Sequence, residues 1–202
     1  MLALHRATRA SMRVTRLLTL YDEASARVRF HGVPVAVMRA QAAALGRPIT
    51  LAPTTPRTFE QVFLLALADL RAAGFAGVIF GNIHLADVRA WYEERVHAAG
   101  LEHVEPLWGE APATLAREVV DLGYQAIITC IEEATADPAW LGQSLSEALI
   151  AACERRGSDP CGERGEYHTL VCAGPLMRAP LAIQLGAVHS ADGFRQVDVA
   201  LV

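Results

Sequence analysis

Thr58 to Asn82, TFEQVFLLALADLRAAGFAGVIFGN, decides the fold. Thr58 suits the cap of a helix with Glu60 and Gln61 in its first turn, and Gly74 stops that helix after Ala73. Gly77 to Phe80 (GVIF) then reads as a short buried strand that ends on Gly81-Asn82. A helix that turns on a glycine into a short apolar strand is one unit of β/α alternation.

The alternation extends in both directions. Leu2 to Ala10 reads as the end of a helix, Val14 to Leu20 as a strand, Val33 to Leu45 as a helix closed by Gly46 and Pro48, and Ile49 to Ala52 as a strand. Downstream come a helix over Leu85 to Ala99, an extended His103 to Leu107, a helix over Pro112 to Leu122 and a strand over Gln125 to Ile131. A helical segment from Asp137-Pro138 to Arg155, with a break at Leu141-Gly142, leads into a loop over Gly157 to Gly165. Thr169 to Cys172, Ala182 to Val188 and Phe194 to Leu201 read as strands, the last two forming a hairpin around Ser190 to Gly193. The fold class is α/β: a parallel sheet flanked by helices, with a smaller C-terminal α+β part. In such sheets ligands bind beyond the carboxyl ends of the strands, which puts Gly81-Asn82-Ile83 in the crevice. A ligand role and a plain turn with a helix cap both fit these residues.

At 202 residues and 52% hydrophobic, the chain suits one compact domain or one domain with a small C-terminal extension. The net charge of −4, with both signs interspersed, shows no cationic face for nucleic acid. Cys130, Cys153, Cys161 and Cys172 form no CxxC pair, so reduced thiols are expected rather than a zinc ribbon or a disulfide framework. No apolar run approaches the roughly 20 residues of a membrane span, and Met1 to Ser11 lacks a signal-peptide core. A cytoplasmic protein without membrane association is the expectation.

Asp159 to Thr169, DPCGERGEYHT, holds the densest chemistry. Glu163 and Glu166 lie three apart, and Gly162 and Gly165 let the backbone approach a ligand closely. A reaction site and a polar turn both account for this composition. Cys161 reads as a structural thiol, and Trp91, Tyr92 and Trp108 read as packing residues.

Phe30-His31-Gly32-Val33, Gly81 to Glu93 (GNIHLADVRAWYE), Pro106-Leu107-Trp108-Gly109, Leu141-Gly142 and Cys161 to Thr169 together resemble the diphthine-ammonia ligase family of ATP-binding proteins, in the family's order. The resemblance implies a Rossmann-like sheet of the HUP type, within the adenine nucleotide alpha-hydrolase group. It implies an ATP-binding domain over 1–105 and a substrate-side α/β part over 106–202. The implied reaction adenylates a carboxylate with ATP and Mg²⁺, then transfers ammonia and releases AMP and pyrophosphate. The implied acceptor is diphthine on an elongation factor. The alanine- and arginine-rich composition points to a bacterial genome and so to a small carboxylic acid as the alternative. On this reading Thr19, Leu20, His31, Gly81, Asn82 and Ile83 face the nucleotide, and Gly162, Gly165, His168 and Thr169 face the substrate. Glu163 and Glu166 are the catalytic carboxylates, orienting ammonia or the acceptor or positioning Mg²⁺. His168 fits either a proton carrier or a half-buried strand residue. No protein side chains are expected to form a resident metal site. Asn82 stands where many bacterial relatives carry Asp, which weakens any Mg²⁺ contact there.

Relatives begin with a buried strand and a Ser-Gly-Gly-Lys-Asp-Ser loop that holds the ATP phosphates, and residues 1–202 contain neither. The expectation is that the gene's coding start lies upstream of Met1, the alternative being a natural loss of the phosphate loop together with ATP chemistry. Genomic sequence upstream of the Met1 codon checks this: an in-frame stop with no encoded phosphate loop overturns the first account.

Overall fold

The computed structural model describes residues 1–202. Its first half alternates helix and strand in the expected order: α1 (Leu2–Arg9), β1 (Leu17–Asp22), α2 (Val35–Ala44), β2 (Ile49–Thr54), α3 (Phe59–Ala72), β3 (Gly77–Ile79), α4 (Ala86–Ala98) and β4 (Glu102–Val104). The second half holds α5 (Pro112–Asp121), β5 (Gln125–Glu132), a 3₁₀ turn (Pro138–Trp140), α6 (Glu147–Arg156), β6 (Tyr167–Ala173), β7 (Ile183–Ala191) and β8 (Phe194–Leu201).

The strands do not form the single parallel sheet that the alternation suggests. β1 pairs with β2 and β3 with β4, each in parallel, while β5 to β8 form an antiparallel sheet ordered β6-β5-β8-β7. Each parallel pair is joined by a helix, as parallel neighbours require. The parallel character therefore holds pairwise, and the C-terminal α+β part is as large a sheet as any in the molecule.

Several boundaries differ from the sequence expectation, each for a pairing reason. β1 begins at Leu17, not Val14, because Leu17 N–H donates to the Pro48 carbonyl at 2.9 Å and the ladder begins at Leu17↔Ile49. It continues to Asp22, so Thr19 and Leu20 lie inside the strand, opposite Leu51 and Ala52, and do not close it. α2 starts at Val35 because Pro34 is held extended at ψ 146°. β6 starts at Tyr167, since its antiparallel ladder with β5 runs through Tyr167↔Ile131 and His168↔Cys130. The helical segment after Asp137 breaks at Gly142, whose φ is 78°, and residues 142 to 145 run along β5 instead, with Leu145 N–H donating to the Ala126 carbonyl at 2.8 Å.

The β7–β8 hairpin turns at Asp192-Gly193, with φ 52° and 81°, the twist-matched two-residue turn. Ser190 and Ala191 thus pair with Arg195 and Phe194 and are not part of the loop. β7 is an edge strand whose register shifts between Leu185 and Val188. A Cβ on Gly186, which lies within this shift, would come 3.2 Å from that of Asp198 on β8.

The core is shared across both halves. Phe63, Leu67, Val96 and Leu101 join α3 and α4 beneath β1 and β3, with Leu20, Trp91 and Tyr92 packed against them. Val33 and Val37 at the start of α2 pack on Leu170 and Val199 of the C-terminal sheet. Leu2 and Ala3 of α1 pack with Ile83, Leu107 and Leu115, with Cys161 against this group. No helix is long and apolar enough to cross a membrane.

Arg6 fastens α1 to the segment that joins the halves. Its guanidinium binds Glu110 and Glu118 and donates to the Pro106 carbonyl at 3.2 Å. Arg6→Ala leaves two carboxylates and a carbonyl without their donor, and an unfolding free energy lower by about 1–3 kcal/mol is expected. Urea denaturation of both proteins checks this, and an unchanged midpoint would show that α1 is held by its apolar face alone.

Candidate functional site

The segment Asp159 to Tyr167 is closed on itself. Gly162 N–H donates to the Asp159 carbonyl at 2.9 Å and Gly165 N–H to the Gly162 carbonyl at 3.0 Å. The Tyr167 hydroxyl donates to the Pro160 carbonyl, and the Asp159 N–H donates to Glu166 Oε1 at 2.7 Å. Gly162 sits at φ 69°, and a Cβ there would lie 2.5 Å from the Tyr167 carbonyl oxygen, so this position admits no side chain.

Glu166 is buried, with Oε1 spent on the loop backbone and Oε2 without a partner. Glu163 faces the other way, toward the tip of β3. Burial raises its pKa above the ordinary carboxylate value, while the Ile83 backbone and the nearby His84 act in the opposite sense. The Ile83 carbonyl in turn accepts from Gly109 N–H at 2.8 Å, which ties the tip of β3 to the Trp108-Gly109 turn. The fold therefore brings Ile83 and Glu163 together, although they lie far apart along the chain.

Two residues without a role in the sequence reading complete this corner. His84 Nε2 lies 2.6 Å from Asp159 Oδ2, and the other Asp159 oxygen accepts from Cys161 N–H at 2.8 Å. The Asp159 side chain is 3% exposed and that of His84 28%. His84 stands within the Gly81 to Glu93 motif, and Asp159 opens the glutamate loop. That position in the chain is the available signal, but only the folded chain shows which histidine meets which carboxylate.

Asn82 donates to Glu105 Oε1 at 2.6 Å, and Arg89 reaches the same buried carboxylate at 3.2 Å. Arg89 also lies over the Trp108 ring, 4.5 Å from its centre, so Trp108 is packed under a guanidinium. Gly81 is exposed, and a Cβ there would meet only Ala3, at 3.9 Å. Neither its φ nor a close neighbour within the chain demands glycine at this position. No group of three or more His, Cys, Asp or Glu side chains is arranged to hold a metal ion.

A second cluster forms where β6 begins. The His31 and His168 rings lie 4.6 Å apart, Phe30 stacks on His168 at 6.0 Å, and His31 Nδ1 is 3.3 Å from the Thr169 carbonyl. Thr129 Oγ1 donates to the His31 carbonyl at 3.0 Å, fixing the loop on β5. Burial pushes the His31 pKa down; burial and the neighbouring His31 push His168 down to about 4. Gly165 has a φ of 94° and open space around it. Thr19 and Leu20 join neither cluster; Leu20 packs with Phe63 and Leu67 instead. Burial raises the Cys161 thiol to about 12, and its Sγ donates to the Pro112 carbonyl at 3.1 Å, as befits a structural thiol. All four cysteines are unpaired.

Comparison with known proteins bears on the same residues. The family model described as diphthamide synthase N-terminal domain matches residues 1–103, and that described as diphthamide synthase C-terminal domain matches residues 111–199. A diphthine–ammonia ligase from Danio rerio is 30% identical over 152 residues, covering 72% of this chain and 59% of that protein. The chain thus spans about 59% of the length of the curated relative it matches.

The histidine pair sets a pH dependence of stability. In the unfolded chain each histidine titrates near 6.5, whereas folded His168 resists protonation until about pH 4. The unfolded state therefore binds the extra proton between those values, and stability falls as pH drops through that window, with no contribution above it. His168→Asn is expected to flatten the decline, as read from denaturation midpoints between pH 7 and pH 4.5. An unchanged slope would remove His168 as its source.

Proposed function

Since the chain belongs to the diphthamide synthase family, we propose that it works as an ATP-dependent ligase that turns a carboxylate into an amide. The acceptor's carboxylate attacks the α-phosphorus of ATP and pyrophosphate leaves. Ammonia then attacks the acyl carbon, and AMP leaves. The observation that carries this reading is the meeting of the β3 tip with the Asp159–Tyr167 loop, where His84 and Asp159 lie 2.6 Å apart and Glu163 stands in the same loop. It sets a carboxylate beside the end of a strand in a parallel pair, the side on which α/β folds receive ligands.

Each part has a role on this reading. Gly81 leaves room for a nucleotide at the β3 tip, and the Thr19–Leu20 backbone in β1 faces its adenine. Mg²⁺ would come with the ATP phosphates and shield their charge, since Asn82 is already engaged by Glu105 and is not free to hold it. Glu163 meets the acceptor or ammonia. Glu166 positions the loop, and Gly162 and Gly165 shape it. His31, His168 and Thr169 line the acceptor side, where two neutral imidazoles and Phe30 suit a partly apolar group. Diphthine as the acceptor fits the name of the Danio rerio relative, and a small carboxylic acid fits the same chemistry.

A second reading has one observation in its favour. All 18 basic residues of the chain are arginine, so residues 1–202 supply no lysine to ATP phosphates. A module that binds a partner or small ligand without cleaving ATP follows from it. Calorimetric titration with Mg²⁺-ATP separates the two, because tight metal-dependent binding counts against the module.

The ligase reading predicts pyrophosphate and AMP release that depends on acceptor and ammonium, in the protein as its gene encodes it. Glu163→Gln is expected to cut amide formation by about 10²- to 10⁴-fold with ATP affinity little changed. Product analysis checks this, and full turnover in the variant would place Glu163 outside the reaction.

A further inference from the structure

We propose that His84, with its ring set by Asp159, is the base that removes the proton from ammonia as the amide bond forms; the proposal rests on the ligase reading. Asp159 is buried and both of its carboxylate oxygens act as acceptors, one from Cys161 N–H at 2.8 Å and one from His84 Nε2 at 2.6 Å. A carboxylate oxygen accepts in that contact, so Nε2 is the donor, and it is the Nδ1 of the neutral ring that offers a lone pair. The ring is 28% exposed. One nitrogen is therefore anchored inside the protein and the other is left for a ligand.

The surroundings suit an N–H donor. Glu163 stands in the same closed loop as Asp159, and Glu105 accepts from Asn82, two residues before His84. Arg89, on the helix that follows, is committed to Glu105 and Glu93. Ammonia presents hydrogens on every side, which suits a free imidazole nitrogen.

The step balances without another reagent. The nitrogen lone pair of ammonia forms the C–N bond at the acyl-adenylate carbon, which leaves a positive charge on nitrogen. One N–H proton passes to His84 Nδ1. The C–O bond to AMP breaks and its electron pair leaves on the phosphate oxygen. The proton on His84 is then returned to solvent. Asp159 is a positioning residue, since it acts through the ring.

Hydroxylamine separates this role from a structural one, because its nitrogen is unprotonated at neutral pH and it attacks acyl-adenylates without help from a base. In His84→Gln with hydroxylamine as nucleophile, pyrophosphate release and hydroxamate formation should stay within a few-fold of the parent, while with ammonium amide formation falls by about 10²- to 10⁴-fold. Asp159→Asn keeps an oxygen for Cys161 N–H but turns a donor toward Nε2, which forces the wrong tautomer. It should show the same pattern, and the double variant should be no worse than either single one. Amide formation retained in His84→Gln, or hydroxamate lost in step with amide, overturns the proposal. A parent protein that yields neither product and no pyrophosphate overturns the ligase reading, and this proposal with it.

Discussion

Asp159 holds a carboxylate at 3% side-chain exposure, and a charge so far from water persists only where hydrogen bonds replace its hydration. Here they come from two parts of the chain. His84 reaches in from the tip of β3 and Cys161 N–H comes from the loop itself, while the backbone N–H of Asp159 serves the neighbouring Glu166 carboxylate. Removing any one of these partners leaves a buried polar group unmatched. The geometry of Glu163 depends on this arrangement, because Glu163 follows Asp159 by four residues in a loop too tightly closed to move independently.

The two halves of the chain supply different parts of this corner, so their packing matters to its shape. α2 rests on β6 and β8 through Val37, Leu170 and Val199, and Gln41 donates to the Val171 carbonyl at 2.7 Å. Arg27 joins Asp198 at 2.8 Å along the same contact. On the far side, α1 and α5 enclose Ile83 and Cys161. A stretch of apolar contact on each flank keeps the β3 tip and the glutamate loop at a fixed separation, as a site built on packed elements requires.

Much of the architecture is legible in the sequence because helix ends and turns are local. Gly74, Gly100 and Gly157 stop helices where the residues predict, and the hairpin appears where its turn residues stand. Pairing is not local. Val14 has the composition of a strand but no partner, and nothing in the order of residues shows that β1 and β3 belong to separate pairs or that residues 142–145 follow β5. The site divides in the same way. The motifs mark two segments that the fold brings into contact, yet the bond between His84 and Asp159 spans 75 positions and leaves no spacing to read. Thr19 and Leu20 read as a strand end for the same reason, since the extent of β1 is set by its partner and not by its own residues.

The register shift in β7 has a consequence for the protein in solution. β7 is a long edge strand with Leu185 and Val188 exposed, and such an edge offers unpaired backbone groups to any other extended chain. The shift between those two residues interrupts the straight ladder and sharpens the local twist, so an incoming strand meets a bent edge in place of a flat one. Gly186 permits this bend by fitting its backbone against Asp198. At high concentration, the same few residues that look like a flaw in the hairpin therefore act against strand-to-strand self-association and fibril growth.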